Sequence, residues 1–222
     1  AEQQAGARSR VGGIGDGTPY RHPALVANMA ASLDIVSGGR LELGLGAGWN
    51  EQETEAYGID LLPMGQRMDR FEEAVEVIDS LLSHELTTFQ GKYFQLEQAR
   101  CEPKGPQQPR LPIVIGGGGE KRTLRIAAKF AQHWNLSFAT PEVFRKKNEI
   151  LLAHCESVGR DSSLIMRSVQ IASTPDQDPA EVADNAAALF AVGVDQVIFT
   201  LRTPYRAERV TALAKAREAI TS

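Results

Sequence analysis

Apolar residues recur along this chain in two rhythms, short continuous runs and longer stretches with helical spacing. From Pro23 to Val36, the side chains of Leu25, Val26, Met29, Ala30, Leu33 and Val36 share one helical face. Pro23 stands where a first helical residue belongs, and Gly38-Gly39 where a left-handed cap ends the helix most easily. A short apolar segment around Arg10 to Gly15 precedes this helix as a first strand, and LELGLG (Leu41 to Gly46) follows it as a buried one. After a polar loop, Met68, Phe71, Val75, Ile78 and Leu82 mark the inward side of a helix from Gln66 to Leu82.

The alternation then breaks. TTFQGKYFQL, residues 87–96, alternates apolar positions around Gln90-Gly91 and predicts an inserted hairpin. The proline-rich CEPKGPQQPRLP that follows has no helical option and runs as an extended crossing into the short strand PIVIGG. Beyond it the spacing predicts a helix from Lys121 to Ala131, a strand from Trp134 to Phe138 and a long helix ending near Gly159. Strands at Met166 to Ala172 and Asp195 to Thr200, each with a following helix, complete the chain. Thr140-Pro141, Asp178-Pro179 and Thr203-Pro204 are read as the three helix starts of this half.

About six strand–helix units of this kind predict an α/β fold with a parallel sheet, because every parallel crossover needs a connecting helix. An open doubly wound sheet and a (β/α)8 TIM barrel both fit that rule. A barrel of eight units normally takes about 250 residues. The chain has 222, reaches its first strand almost at once and does not begin with methionine, so a barrel without its first N-terminal strands is the economical reading. Residues 1–222 are then a single domain with the hairpin at about 87–96 as an insertion.

Composition narrows the function. Lys plus Arg number 24 against 28 Asp plus Glu, a formal charge of -4, which argues against a nucleic-acid partner. No apolar run approaches the roughly 20 residues that cross a bilayer, and AEQQAGARSR at the start lacks the apolar core of a signal peptide. Cys101 and Cys155, far apart and without a CxxC pattern, read as reduced structural thiols of a cytoplasmic protein.

Three glycine-rich strand ends carry the candidate chemistry. Gly116-Gly117-Gly118-Gly119 lies between a strand and a helix, where uncovered backbone N–H groups favour a phosphate. A flexible turn that allows close packing is the plainer alternative. The run is neither a P-loop nor GxGxxG. Gly44-Leu45-Gly46-Ala47-Gly48-Trp49-Asn50-Glu51 closes another strand: its small residues let a flat ring approach, and Asn50 offers both donor and acceptor. Equally, Asn50 and Glu51 would serve as caps of a following helix. The third cluster, Gly12 to Gly17, leads into Tyr20-Arg21-His22-Pro23, with His22 read as a helix-entry residue. The other histidines show no metal spacing; no metal site and no nucleophile elbow is expected.

The blocks SGGRLELGLGAGWNEQE, RMDRFEEAVEVI, IVIGGGGEKRTLRIAAKFAQHWN and HCESVGRD resemble the luciferase-like oxidoreductases of the bacterial luciferase superfamily. Within that superfamily they are most similar to the branch using the deazaflavin coenzyme F420. The resemblance spans nearly the whole chain from about Arg8 and implies a (β/α)8 barrel whose third strand is the first one here. It places Gly15 and Asp16 at a bulge that backs the central flavin ring, although the family's usual apolar residue followed by Ser or Thr is absent. Gly46, Gly48 and, with a shift in spacing, Asn50 match the segment contacting the ring and ribityl chain. Gly116, Gly117, Gly118 and Gly119 match the segment holding the phosphate and ribityl side. The family's catalytic residues often come from its first two strands, which have no counterpart here, so no catalytic residue is carried over. The implied function is hydride transfer between reduced F420 and a small organic substrate, with a homodimer as the candidate assembly. The rivals are an FMN-dependent monooxygenase and a non-catalytic ligand-binding or inactive fragment.

Overall fold

A computed structural model describes residues 10–12, 16–174 and 176–221. The chain falls into two units, residues 1–116 with 130–132, and residues 117–129 with 133–222.

The first unit contains β1 (Val11–Gly12), β2 (Asp16–Gly17), α1 (Pro23–Ser37), β3 (Leu41–Gly46), α2 (Glu51–Ala56), α3 (Met64–Ser83), β4 (Thr87–Gln90), β5 (Gln95–Ala99) and β6 (Ile113–Gly116). Both β1 and β2 pair in parallel with β3, which pairs in parallel with β6. The strands β4 and β5 form the antiparallel hairpin. Its turn is held by Glu73 of α3, whose carboxylate accepts the N–H groups of Lys92, Tyr93 and Phe94 at 2.9, 2.8 and 3.2 Å. Leu45, Ile113 and Ile115 of the sheet are buried, and so are Phe71, Val75, Ile78 and Leu82 on the inward face of α3, as the spacing predicts. The proline-rich crossing is tied at both ends. Lys104 Nζ donates to the carbonyls of Leu81, His84 and Cys101, each at 2.8 Å, satisfying the orphan carbonyls where α3 ends. Gln107 donates to the buried Asp34 carboxylate at 2.8 Å and to the Leu41 carbonyl at 2.7 Å.

The face of α1 is a correction. Ala27, Ala30, Ala31 and Asp34 are buried, whereas Leu25, Met29, Leu33 and Val36 are exposed, Val36 by 84%. The helix is apolar nearly all round, so spacing alone does not choose a side. The helix packs against α3 and β3, and the narrow alanine side lets backbones approach most closely. Enlarging that side, Ala30→Leu, should cost about 1–3 kcal/mol through overpacking. Val36→Lys should stay within about 0.5 kcal/mol; urea unfolding of the two variants checks the assignment.

The second unit contains α4 (Thr123–Phe130), β7 (His133–Ser137), α5 (Pro141–Ser157), β8 (Met166–Ser173), α6 (Pro179–Ala191), β9 (Gln196–Leu201) and α7 (Ala207–Thr221). The strands β7, β8 and β9 pair in parallel, in the register Asn135–Ser168–Gln196. Trp134, Leu136 and Val169 share one buried face, against which Phe144 and Leu151 of α5 and Leu124 of α4 contribute the core. Thr140 and Asp178 cap α5 and α6 as expected, accepting the N–H groups of Val143 and Ala180. Thr203-Pro204 does not start α7; the helix begins at Ala207.

The fold is therefore α/β with parallel strands. A closed eight-stranded barrel is not present among the described residues, in keeping with the expected barrel without its first strands.

Candidate functional site

The first unit gathers the C-terminal ends of β2, β3 and β6. Gly17 pairs with Gly46, and Leu45 with Ile115, which brings Gly46 and Gly116 to neighbouring strand ends. A Cβ added at Gly116 would meet only the Leu45 carbonyl, at 3.9 Å, so the backbone is open there. The Gly46 carbonyl accepts the Thr18 hydroxyl at 3.2 Å. Gly15 lies outside the described residues. Asp16 is described through its backbone alone, paired with Leu45.

Gly48 and Asn50 have local work. Gly48 has φ +82°, and a Cβ there would meet Pro19 Cγ at 2.9 Å, so this glycine serves a left-handed turn packed on proline. Its carbonyl accepts from the buried Arg67 at 3.2 Å. Asn50 Oδ1 accepts the Glu53 N–H at 3.2 Å and caps α2. The sequence predicts a polar loop at α2, because EQETEA offers no apolar period; the Asn50 cap is its one helical signal. The Asn50 Nδ2 group bonds nothing among the described residues and is the part of this side chain left for a ligand. Tyr20 donates to Glu53 at 2.6 Å, and that bond to a carboxylate raises the phenol above its ordinary pKa. Trp49, between Gly48 and Asn50, is 83% exposed.

In the second unit the glycine run is clamped before it reaches α4. Gly117 has φ +115°; its N–H donates to the Asn135 carbonyl at 2.9 Å, and its own carbonyl accepts Trp134 Nε1 at 2.8 Å. Gly117 is thus no free donor. The N–H groups of Gly118 and Gly119 have no acceptor among the described residues, at the positive end of α4. Packing explains part of the glycine requirement as well. A Cβ at Gly118 would meet Leu136 Cδ1 at 2.8 Å, and one at Gly119 would meet Thr123 Oγ1 at 2.7 Å. Two residues of α5 hold the next position. Lys147 Nζ bonds the Glu120 carboxylate and His154 Nε2 donates to the Glu120 carbonyl, each at 2.8 Å. The lysine contact holds the Glu120 carboxyl below the ordinary carboxylate range. Neither Lys147 nor His154 was marked by any local pattern, since their partner lies far away in sequence.

The face of β7 opposite Trp134 is polar. Asn135 Nδ2 donates to Ser168 Oγ at 2.7 Å, and Ser168 Oγ lies 2.6 Å from His133 Nε2. The serine hydroxyl can donate to His133 Nε2 or accept from it, according to the imidazole tautomer. Asn135 Oδ1 is fully buried and unpartnered. Among the described residues no three His, Cys, Asp or Glu side chains gather as a metal site, and no helix is long and apolar enough to cross a membrane. Cys101 and Cys155 are free and buried, and burial pushes both thiols up.

These features meet a family already defined by other proteins. The luciferase-like monooxygenase family profile matches residues 13–221, and the chain belongs to that family. Pyrimidine monooxygenase RutA of Agrobacterium fabrum is 31% identical over 163 residues, 70% of this chain and 44% of that protein. F420-dependent glucose-6-phosphate dehydrogenase of Kineococcus radiotolerans is 32% identical over 168 residues, 74% of this chain and 48% of that protein. The chain thus spans about half the length of these curated relatives. An F420-dependent secondary alcohol dehydrogenase, solved with an F420-acetone adduct, shares the fold with TM-score 0.84 at 18% identity, over 95% of this chain and 79% of that one. The proteins that this chain is similar to thus include a monooxygenase as well as F420-dependent dehydrogenases.

Proposed function

We propose that this chain is the coenzyme-holding part of an F420-dependent oxidoreductase acting on a small organic substrate. The carrying observation is the pair of uncommitted N–H groups on Gly118 and Gly119, presented at the start of α4 by a Gly117 already fixed through both its backbone groups. A phosphate fits that donor set. The resemblance in the IVIGGGGEK and WN blocks, and the relative from Kineococcus radiotolerans, support F420 as the coenzyme.

When bound, the deazaflavin supplies hydride transfer at its central ring carbon. The chain's residues bind and orient it. In the second unit Gly118 and Gly119 would take the phosphate; in the first unit the open backbone at Gly46 and Gly116 and the Asn50 Nδ2 group are the residues suited to a flat ring or a ribityl chain. By the family resemblance Gly15 and Asp16 would back the ring, while Gly48 shapes the turn that carries Asn50. We take residues 1–222 as one luciferase-like domain with a hairpin insertion, working as a cytoplasmic homodimer. The second reading is an FMN-dependent monooxygenase; the match to a pyrimidine monooxygenase supports its oxygenase part.

Trp49 supplies the test. It is exposed beside the proposed ring contacts, whereas Trp134, the other tryptophan, is fully buried. Titration with F420 should quench the Trp49 emission, Trp49→Phe should abolish that change, and FMN should bind at least about tenfold more weakly. Tighter FMN binding moves the assignment to the monooxygenase. A folded chain that binds neither is a non-catalytic one.

A further inference from the structure

Three arginines at the C-terminal ends of β8 and β9 play no part in the coenzyme contacts proposed above. Arg202, Arg206 and Arg209 occur within LRTPYRAER, and none pairs with a carboxylate among the described residues. Arg209, in the first turn of α7, is only 7% exposed. Its Nε donates to Ser173 Oγ at 2.7 Å and its Nη1 to the Gln177 carbonyl. Its Nη2 is buried with no partner. Ser173, the last residue of β8, is 1% exposed; its hydroxyl oxygen accepts from Arg209, while its proton has no acceptor among the described residues. The Ser173 carbonyl accepts the Arg202 N–H at 3.1 Å. The Arg202 guanidinium lies 5.4 Å from the ring centroid of Phe138, and Phe138 in turn lines a cavity of about 310 Å³ with Thr140, Ile171, Ala172, Asn185 and Leu189.

Burying a guanidinium without a counter-charge is costly, and folds that do so normally supply an acid. Here the groups bonded to Arg209 are a hydroxyl and a carbonyl, and among the described residues no carboxylate bonds it, although Asp176 and Asp178 flank Gln177 in the chain. A strut that only tied Ser173 and Gln177 to α7 would be complete with the Nε and Nη1 bonds. The two N–H groups on Nη2 and the Ser173 proton are additional, and all of them are donors. The group such a set matches is an oxyanion, which guanidinium recognises well. The ends of parallel strands where these residues sit are the ends at which α/β folds receive ligands. We propose that Arg209 and Ser173, with Arg202 at the rim, form an anion subsite for the phosphate or carboxylate of a small ligand. This inference holds whichever flavin the chain binds.

The test compares inorganic phosphate, glutarate and chloride at matched ionic strength, reading affinity from the ligand-induced shift in thermal unfolding midpoint. At least one of the two oxyanions should stabilise the protein beyond chloride. Arg209→Met should weaken that binding by at least about tenfold, the loss of a charge-assisted hydrogen bond, and Arg209→Lys should restore part of it. Ser173→Ala and Arg202→Gln should each weaken it by about threefold or more; they decide the matter if Arg209→Met does not fold. A preference for phosphate identifies a phosphoryl group as the ligand's anion, and a preference for glutarate a carboxylate. Repeating the series in Gly118→Val separates this site from the glycine run, because the Arg209-dependent part should persist there. No stabilisation beyond chloride, or binding unchanged in folded Arg209→Met or in both other variants, overturns the subsite.

Discussion

Truncating Trp134 to alanine should lower the unfolding free energy by about 4 kcal/mol, within the range for large aromatic residues in a core. Three losses combine. The indole is fully buried, so its removal leaves a cavity beside Leu136 and the helices of the second unit. It stacks on Phe144, with centroids 5.8 Å apart and planes inclined by 20°, a pairing worth about 0.5–1.5 kcal/mol beyond area. Its Nε1 also donates to the Gly117 carbonyl at 2.8 Å, and losing that bond releases one side of the glycine clamp. Trp134→Phe keeps the stacking and most of the volume, and should cost about 1–2 kcal/mol, mainly the hydrogen bond. Against a total stability of about 5–15 kcal/mol the alanine variant stands close to unfolding. Urea denaturation of both variants separates packing from the clamp. A cost below about 1 kcal/mol for alanine would refute the buried stacking arrangement.

What could be read without the fold depended on how local the determining contact was. The helix α3 was legible because its large apolar residues from Met68 to Leu82 recur at helical spacing and are all buried. In α1 the same method chose the wrong side, because alanine at positions 27, 30 and 31 carries little hydrophobic weight but allows the closest packing. EQETEA became α2 through a cap at Asn50 rather than through any apolar period. Thr140-Pro141 and Asp178-Pro179 start helices with their own side-chain caps, whereas Thr203-Pro204 is followed by irregular chain up to Arg206. At the site, glycine composition pointed to the right segment for bare N–H groups. It did not show that Gly117 spends both backbone groups on β7, nor that Lys147 and His154 hold Glu120 from α5. The buried Arg209 is similar, since its partners Ser173 and Gln177 lie more than thirty positions away.

That division of labour within the glycine run makes two neighbouring substitutions behave differently. Gly117 sits at φ +115°, where an L side chain is strained by about 1–3 kcal/mol, so Gly117→Ala should destabilise the fold. Its N–H already serves Asn135, so a coenzyme phosphate loses no direct donor there. Gly118 carries no such φ restriction, yet its Cβ would fall 2.8 Å from Leu136 Cδ1 and 3.8 Å from Lys147 Cε. A branched residue must push the loop away from β7 and disturb the lysine that anchors Glu120, turning the Gly118 and Gly119 donors off their common target. Gly118→Val should therefore reduce F420 affinity by at least about a hundredfold, equivalent to losing two charge-assisted hydrogen bonds. Its far-UV circular dichroism should stay close to that of the parent. Fluorescence titration alongside thermal unfolding tests both variants. If Gly118→Val binds F420 as the parent does while remaining folded, the run is a packing device and the phosphate sits elsewhere.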